Sequence, residues 1–179
     1  MKDVRQEYHA PGLTEADLLA DPVEQARRWV DEAIDANLPL ANAMTLATVS
    51  AHGRPSSRVV LLKGIKDGGF VFFTHYDSRK GDDIAANPNV SFVMFWGPFD
   101  RQLIVNGRAE KLDPQQSRDY FASRPRDSQL SAAISPQSRP ATREQLEADM
   151  ASLARQHPEG DPIPMPETWG GYRITPEEI

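Results

Sequence analysis

The sequence predicts an α+β protein in which helices flank a central antiparallel β-sheet or barrel. Three observations favour this fold class. Apolar and β-branched stretches separated by turn residues occupy the middle of the chain, and helical periodicity occurs on both sides of them. Neither a G-x-G-x-x-G motif nor a G-x-x-x-x-G-K-[ST] motif occurs, so a parallel nucleotide-binding sheet is not supported. The length of 179 residues suits one domain.

The first helix is predicted to follow an N-terminal arm. Residues 1–20 are interrupted by a Pro-Gly pair, and we interpret them as a mobile arm that needs something else to pack against. Asp21 is a suitable N-cap and Pro22 suits the first helical position, so the helix begins there and ends near Asn37. Residues 21–179 are therefore predicted to form the single domain.

Four or five strands linked mostly by turns are predicted in the middle of the chain. The turn residues Asp67-Gly68-Gly69 indicate a hairpin, and Ser78 is a suitable cap for a short helix after it. This arrangement is typical of an antiparallel sheet or barrel. The candidate strands lie at 43–49, 58–63, 70–74, 90–96 and 102–112.

Helical signals return after the last of these strands. Asp113-Pro114, Asp127-Ser128 and Thr142 each resemble a helix start. A proline-rich connector at 158–166 then leads to a strand that begins at Trp169.

Composition and charge exclude several classes of protein. The net charge of −6 argues against broad binding to nucleic acid or to an anionic membrane, which needs a basic surface. The absence of cysteine excludes disulfides and thiol catalysis, and the four histidines lack metal-ligand spacing, so we expect no metal site. No apolar run is long enough to cross a bilayer, and the N-terminus lacks the apolar core of a secretion signal. We therefore expect a soluble, cytoplasmic protein.

Cations beside strands and turns are the main candidates for a functional site. Arg58 and Lys63 lie five residues apart, so on one extended strand they would project to opposite faces. They are either solvated ends of a buried strand or cations that reach a phosphate group. Ser78-Arg79-Lys80 combines a hydroxyl, two cations and a helix N-terminus, which suits a phosphate, although taken alone an N-cap with exposed helix charges is the simpler explanation.

The segment from Tyr120 to Ser128 contains the densest set of phosphate donors. It places a phenol, the Arg124 guanidinium and a hydroxyl near a helix end, although a helix C-terminus with arginines would have the same pattern. Gln102 is unusual in an apolar strand, because a buried amide needs hydrogen-bond partners. Either a ligand ring or an edge strand that faces water would provide them.

Several ordered motifs resemble the pyridoxine/pyridoxamine 5′-phosphate oxidase family. They are R-V-V-L-L-K at 58–63, F-F-T at 72–74, S-R-K at 78–80, R-Q at 101–102, Y-F-A-S-R-P-R-D-S-Q at 120–129, Q-S at 137–138 and W-G-G-Y-R at 169–173. The resemblance covers nearly the whole chain, from R-Q-E-Y at 5–8 onward. It implies a homodimeric antiparallel split β-barrel with FMN at the subunit interface.

The resemblance also implies which residues hold the ligands. The implied FMN-binding residues are Arg58, Val59, Val60, Leu61, Leu62, Lys63, Phe73, Thr74, Arg79, Lys80, Gln102, Gln137, Ser138 and Trp169. The implied substrate-binding residues are Lys63, Tyr120, Arg124 and Ser128 for the phosphate, with Arg5, Gln6, Glu7 and Tyr8 in an arm that closes over the substrate. Members of the family normally continue into a strand with an Arg-x-His motif. This chain ends at Ile179 before that motif, so we assign no catalytic residue and favour truncation as the explanation.

The implied reaction belongs to vitamin B6 metabolism. Pyridoxine 5′-phosphate or pyridoxamine 5′-phosphate is oxidised to pyridoxal 5′-phosphate, and O2 reoxidises the flavin with release of H2O2. One alternative is a related flavin oxidase that acts on another small ring, such as a phenazine precursor. Another is a noncatalytic split-barrel module that binds FMN or pyridoxal 5′-phosphate, and a barrel that binds single-stranded nucleic acid is a more distant one.

Overall fold

An antiparallel sheet of seven strands, flanked by five α-helices, forms the part of the chain that the structure describes. The structure is a computed structural model and describes residues 12–179. The strands are β1 (Ala43–Val49), β2 (Pro55–Leu61), β3 (Gly64–Lys66), β4 (Gly69–His75), β5 (Asn89–Trp96), β6 (Arg101–Lys111) and β7 (Trp169–Glu178). The helices are α1 (Pro22–Asp35), α2 (Arg79–Ala86), α3 (Pro114–Ser123), α4 (Arg126–Ile134) and α5 (Arg143–Gln156).

The sheet curls into a split barrel because consecutive strands occupy its two edges. The strand order is β2-β1-β5-β6-β7-β4-β3, so β2 and β3 lie at opposite edges although only Leu62 and Lys63 join them. The N–H of Leu62 donates to Asn42 beside β1, and the N–H of Lys63 donates to Val71 in β4. The chain thus changes hydrogen-bond partners from one edge to the other within two residues, which brings the edges together.

Two hydrophobic clusters hold the strands and helices in place. In β1 and β5, buried residues alternate with more exposed ones, and Met44, Leu46, Phe92 and Met94 are buried in the barrel interior. A second cluster is centred on Trp169 and includes side chains of α3, α4 and the connector before β7. Apolar burial of this kind is the main stabilising contribution to a fold. The second cluster fixes the connection between α3 and α4 at Arg124 and Pro125, here called the α3–α4 corner, against the end of the barrel.

The predicted α+β fold class, the antiparallel sheet and the principal helices are confirmed. The Asp21 carboxylate caps α1 by accepting from the N–H of Val23, and the Thr142 hydroxyl caps α5 by accepting from the N–H of Gln145. The sequence reading missed β3, whose three residues carry no alternation long enough to detect. Within residues 12–179, no helix is long and apolar enough to cross a membrane.

Candidate functional site

A cavity of about 840 Å³ lies where β2, β4, the start of α2 and the α3–α4 corner meet. It brings together most of the side chains that the sequence indicated for binding. The implied FMN-binding residues that line it are Arg58, Val59, Val60, Leu61, Lys63, Phe73, Thr74, Arg79, Lys80, Gln137, Ser138 and Trp169. The implied phosphate-binding residues Lys63, Tyr120, Arg124 and Ser128 also line it.

Some implied site residues do not line this cavity. Leu62 is buried in the hydrophobic core, because the crossing between the two sheet edges turns its side chain inward. Gln102 lies on the exposed face of β6, so its amide faces solvent and is not buried in the strand. The arm residues Arg5, Gln6, Glu7 and Tyr8 lie outside the described residues.

Arg58 and Lys63 line the same cavity, contrary to the expectation that they project to opposite faces. That expectation assumed one continuous strand from 58 to 63. In the structure β2 ends at Leu61, and the chain crosses to the other sheet edge at Leu62 and Lys63. The alternation of side chains along a strand therefore does not extend to Lys63.

The cavity wall is strongly cationic. Arg58, Lys63, Arg79, Lys80 and Arg124 line it, and no aspartate or glutamate is among the described lining residues. In a chain with a net charge of −6, such a concentration of positive charge is a local feature of this site. It fits an anionic ligand, because clustered cations with no carboxylate in the cavity wall attract negative charge.

Lys80 is the most buried of these cations and is held by neutral oxygen atoms. Its side chain is 7% exposed, and its Nζ donates to Thr74 Oγ1 at 2.8 Å, Ser78 Oγ at 3.1 Å and Gln137 Oε1 at 2.6 Å. Burial, followed by repulsion from Arg58, lowers the pKa of Lys80 to about 8. These three hydrogen bonds use all the N–H groups of the ammonium, but no described side chain neutralises its charge, so this charge would favour an anion in the cavity.

The Ser78 hydroxyl does not contribute to a phosphate cradle as the sequence suggested. Its side chain is fully buried, donates to the carbonyl oxygen of His75 at 2.6 Å and caps α2 by accepting from the N–H of Gly81. With Lys80 Nζ also donating to it, its hydrogen-bonding capacity is occupied. Ser78 positions Lys80 rather than a ligand.

The α3–α4 corner presents Arg124 against an aromatic stack. The rings of Phe73 and Tyr120 stack with centroids 3.8 Å apart, and Trp169 stacks on Phe73 at 5.4 Å. The Arg124 guanidinium lies 5.0 Å from the Trp169 ring centroid, and its buried Nη1 has no hydrogen-bond partner among the described residues. An unpaired buried donor is costly, so this nitrogen indicates a missing acceptor.

The sequence analysis missed several residues that line the cavity. His75 is buried, and its burial lowers its pKa, which keeps the imidazole neutral at pH 7. Its place directly after Thr74 is the signal in the sequence that could have indicated it. The other missed lining residues are Ser56, Ser57, Pro125, Ser131, Ala132 and Ser135. No cluster of metal-ligating side chains occurs in the described part of the chain.

The fold and this cavity define a split β-barrel protein with a cationic site beside an aromatic stack. The family model described as pyridoxamine 5′-phosphate oxidase matches residues 30–158. The chain is 70% identical to a curated protein named pyridoxine/pyridoxamine 5′-phosphate oxidase from Alcanivorax borkumensis. It is 48% identical to a protein of the same name from Bordetella pertussis. Each match covers 100% of this chain and 85% or 84% of the relative. The chain belongs to the pyridoxine/pyridoxamine 5′-phosphate oxidase family and is an oxidoreductase.

Solved structures show the same fold. PhzG from Burkholderia lata, in complex with tetrahydrophenazine-1-carboxylic acid, has a TM-score of 0.86 at 29% identity, covering 93% of this chain and 83% of that one. A pyridoxamine 5′-phosphate oxidase-related, FMN-binding protein from Nostoc punctiforme has a TM-score of 0.67 at 18% identity, covering 88% and 81%. These similarities confirm the split β-barrel fold that the sequence motifs implied.

Proposed function

We propose that this protein binds FMN and oxidises pyridoxine 5′-phosphate or pyridoxamine 5′-phosphate to pyridoxal 5′-phosphate. When bound, FMN would supply the redox chemistry, taking a hydride equivalent from C4′ as the C4′ hydroxyl or amine loses a proton and passing two electrons, with two protons, to O2 to form H2O2. The imine that pyridoxamine 5′-phosphate gives would be hydrolysed by water to the aldehyde and ammonia. The protein's own residues would bind and orient the two phosphorylated molecules. The observation that carries this proposal is the cavity with five cations and no lining carboxylate among the described residues.

The distribution of these cations supports two phosphate positions. Arg58, Arg79 and Lys80 lie on β2 and at the start of α2, where a phosphate would also meet the positive end of the helix. Arg124 lies at the α3–α4 corner, and the unpartnered Nη1 is suited to a second phosphate. We assign the first group to FMN and the corner to the substrate, and Lys63 at the sheet crossing is assigned to both.

The aromatic stack supports the binding of a flat ring. Phe73 and Trp169 line the cavity with Tyr120, and the rings lie nearly parallel. Burial raises the pKa of Tyr120, so its hydroxyl stays protonated and can donate to a phosphate oxygen. We infer that these rings contact flat ligands, while the cations fix the phosphate ends.

A homodimer with FMN at the subunit interface is the assembly that we propose. Val59, Phe95 and Ile104 are 63%, 69% and 45% exposed, and strand register places them on one face of β2, β1, β5 and β6. An apolar face of this kind is typical of an interface. Val59 also lines the cavity, so a second copy on this face would adjoin the ligand. Gln102, paired with Phe95, would then contact the FMN of the partner rather than its own.

The test of the proposed function is a flavin spectrum followed by anaerobic reduction. We expect the purified protein to carry a visible flavin spectrum that pyridoxine 5′-phosphate bleaches in the absence of O2. Admitting O2 should restore the spectrum and release H2O2. A protein that binds no flavin would contradict the proposal, and bound flavin that the substrate does not bleach would favour a noncatalytic binding module.

A flavin oxidase for another small ring is the second candidate, and the similarity to PhzG is the observation that favours it. The phosphate donors Tyr120, Arg124 and Ser128 argue for a phosphorylated substrate instead. Anaerobic bleaching by pyridoxine 5′-phosphate but not by unphosphorylated pyridoxine at the same concentration would support our assignment. Equal rates with both compounds would contradict it.

The affinity for FMN is expected to fall as the pH rises through about 8. Burial lowers the pKa of Lys80 to about 8, whereas a bound phosphate would favour its charged form. Above that pKa, binding must take up a proton, and the affinity should decrease by up to about tenfold per pH unit. The phosphate itself remains a dianion there, because its second pKa is about 6. Titration by flavin fluorescence between pH 7 and 9.5 measures the effect, which an unchanged dissociation constant would contradict.

A further inference from the structure

A buried carboxylate lies directly behind the cationic wall of the cavity. Asp83 of α2 is 5% exposed and does not line the cavity. Its Oδ2 accepts from Thr48 Oγ1 at 2.6 Å and from Ser56 Oγ at 3.2 Å, and it lies 3.7 Å from Nη2 of Arg58. This buried cluster joins the edge strand β2, its neighbour β1 and helix α2 through polar contacts.

The Arg58 guanidinium is held by the same cluster. Its Nη1 donates to the Leu46 carbonyl oxygen at 3.1 Å and to Thr48 Oγ1 at 2.9 Å, and its Nη2 donates to Ser56 Oγ at 2.5 Å. A guanidinium has five N–H groups. The hydrogen bonds to described residues use three of them, so Nε–H and one N–H of Nη2 remain for a ligand.

Arg58 needs a counterion to remain beside Lys80. Arg58 contributes to the lowered pKa of Lys80, and burial together with repulsion from Arg79 lowers the pKa of Arg58 itself. Asp83 opposes this effect at Arg58, where its charge favours the protonated guanidinium. Since β2 is an edge strand, an Arg58 side chain without this partner could turn toward solvent, away from Lys80.

We propose that Asp83 is a positioning residue that holds Arg58 beside Lys80, so that the free N–H groups of Arg58 bind one phosphate group of the cofactor and the charge of Lys80 attracts the same group. This inference rests on the proposed function, because it takes FMN as the ligand of the cavity. Asp83 thereby sets how strongly the site prefers FMN to riboflavin, which has the same ring system without the phosphate. A carboxylate that only neutralised a buried charge would affect stability and leave this preference unchanged.

The experiment measures the phosphate preference, defined as the dissociation constant for riboflavin divided by that for FMN. We expect Asp83→Asn to reduce this ratio about tenfold, because the substitution removes the interaction between two charged side chains and such interactions typically have an effect of this size. The matched control is Asp82→Asn, which removes the same charge from the exposed neighbouring residue of α2. The control should keep the wild-type ratio.

A double-mutant cycle separates positioning from a general loss of stability. Arg58→Ala should reduce the ratio, and adding Asp83→Asn to it should cause no further reduction, since the two residues act through one guanidinium. Additive effects would overturn the proposal. If Asp83→Asn does not fold, Thr48→Val carries the test, because Thr48 bridges Arg58 and Asp83 without lining the cavity. An unchanged ratio in Thr48→Val would then overturn the proposal.

The outcome for the wild-type protein distinguishes this inference from the proposed function. A wild-type protein that does not prefer FMN to riboflavin would contradict the proposed cofactor. A wild-type protein with a clear preference that Asp83→Asn retains would leave the cofactor proposal intact and overturn the role of Asp83.

Discussion

Lys80→Met is expected to abolish the retention of FMN during purification while the apoprotein remains folded. Lys80 Nζ is a buried cation that has no ionic partner among residues 12–179 and contacts neutral oxygens there, so a phosphate group would be its ionic partner. Removing one member of a buried, hydrogen-bonded charge pair weakens binding by about 2–5 kcal/mol, which corresponds to roughly 30-fold to several thousandfold. The dissociation constant of FMN, measured by fluorescence titration of the apoprotein, tests this expectation.

The stability of the Lys80→Met apoprotein provides an independent readout. The folded state lowers the pKa of Lys80 from 10.5 to about 8, so the charged form is disfavoured by folding at pH 7. The unfolded chain binds more protons between these values, and the wild-type apoprotein should therefore gain stability as pH rises from about 8 to 10.5. Lys80→Met should lack this gain and should be no less stable at pH 7. In this variant the Thr74 hydroxyl can still donate to Gln137 Oε1, so this acceptor keeps a hydrogen-bond partner.

Lys111→Met is the matched control for this experiment. Lys111 lies at the end of β6, outside the cavity, with its ammonium 4.2 Å from the Tyr76 ring centroid. The control changes the net charge equally and should retain FMN. A comparable loss of FMN in both variants would show that net charge, rather than contact with Lys80, governs binding.

Arg124→Ala is expected to raise the apparent KM for pyridoxine 5′-phosphate and to leave FMN occupancy unchanged. The buried Nη1 of Arg124 has no partner among the described residues, and the guanidinium is held against Trp169. The loss of a charge-assisted hydrogen bond costs about 1.5–3 kcal/mol, which corresponds to about a 10- to 150-fold change in KM. Steady-state kinetics together with the flavin absorbance per protein measure the two quantities separately.

Arg118→Ala controls for the loss of an arginine near the site. Arg118 is on the exposed surface of α3, where it donates to Gln115. This variant should retain the wild-type KM. Arg124→Lys should have an intermediate KM, because it keeps the charge but not the planar guanidinium. If Arg124→Ala weakened FMN and substrate binding equally, our division of the cations between two phosphates would be wrong.

The sequence predicted local features of the fold well, because they depend on neighbouring residues. Asp21 and Thr142 cap helices as expected, since a cap interacts with the next two or three residues. The closure of the barrel was not predictable from periodicity. It depends on a change of hydrogen-bond partners at Leu62 and Lys63, and no residue pattern at these positions indicates that change.

The candidate site was predictable in composition but not in detail. Arg58, Lys80 and Arg124 were singled out for their donor chemistry, and all three line the cavity. The sequence could not show that the Ser78 hydroxyl is already hydrogen-bonded to the carbonyl oxygen of His75 and the N–H of Gly81, because these contacts depend on the geometry of the turn before α2. Motif spacing places residues near a site, whereas free hydrogen-bonding capacity is visible only in three dimensions.

The pairing of β4 with β7 determines when the cavity can form during the synthesis and folding of the chain. It places Thr74 opposite Gly170 and His75 opposite Trp169, so two walls of the cavity come from distant parts of the sequence. Pairings of this kind form slowly, after local turns and helices. A growing polypeptide therefore cannot present the site to a flavin until Trp169 has been synthesised and β7 has paired. We expect a ligand of this cavity to slow unfolding of the finished protein without accelerating its folding.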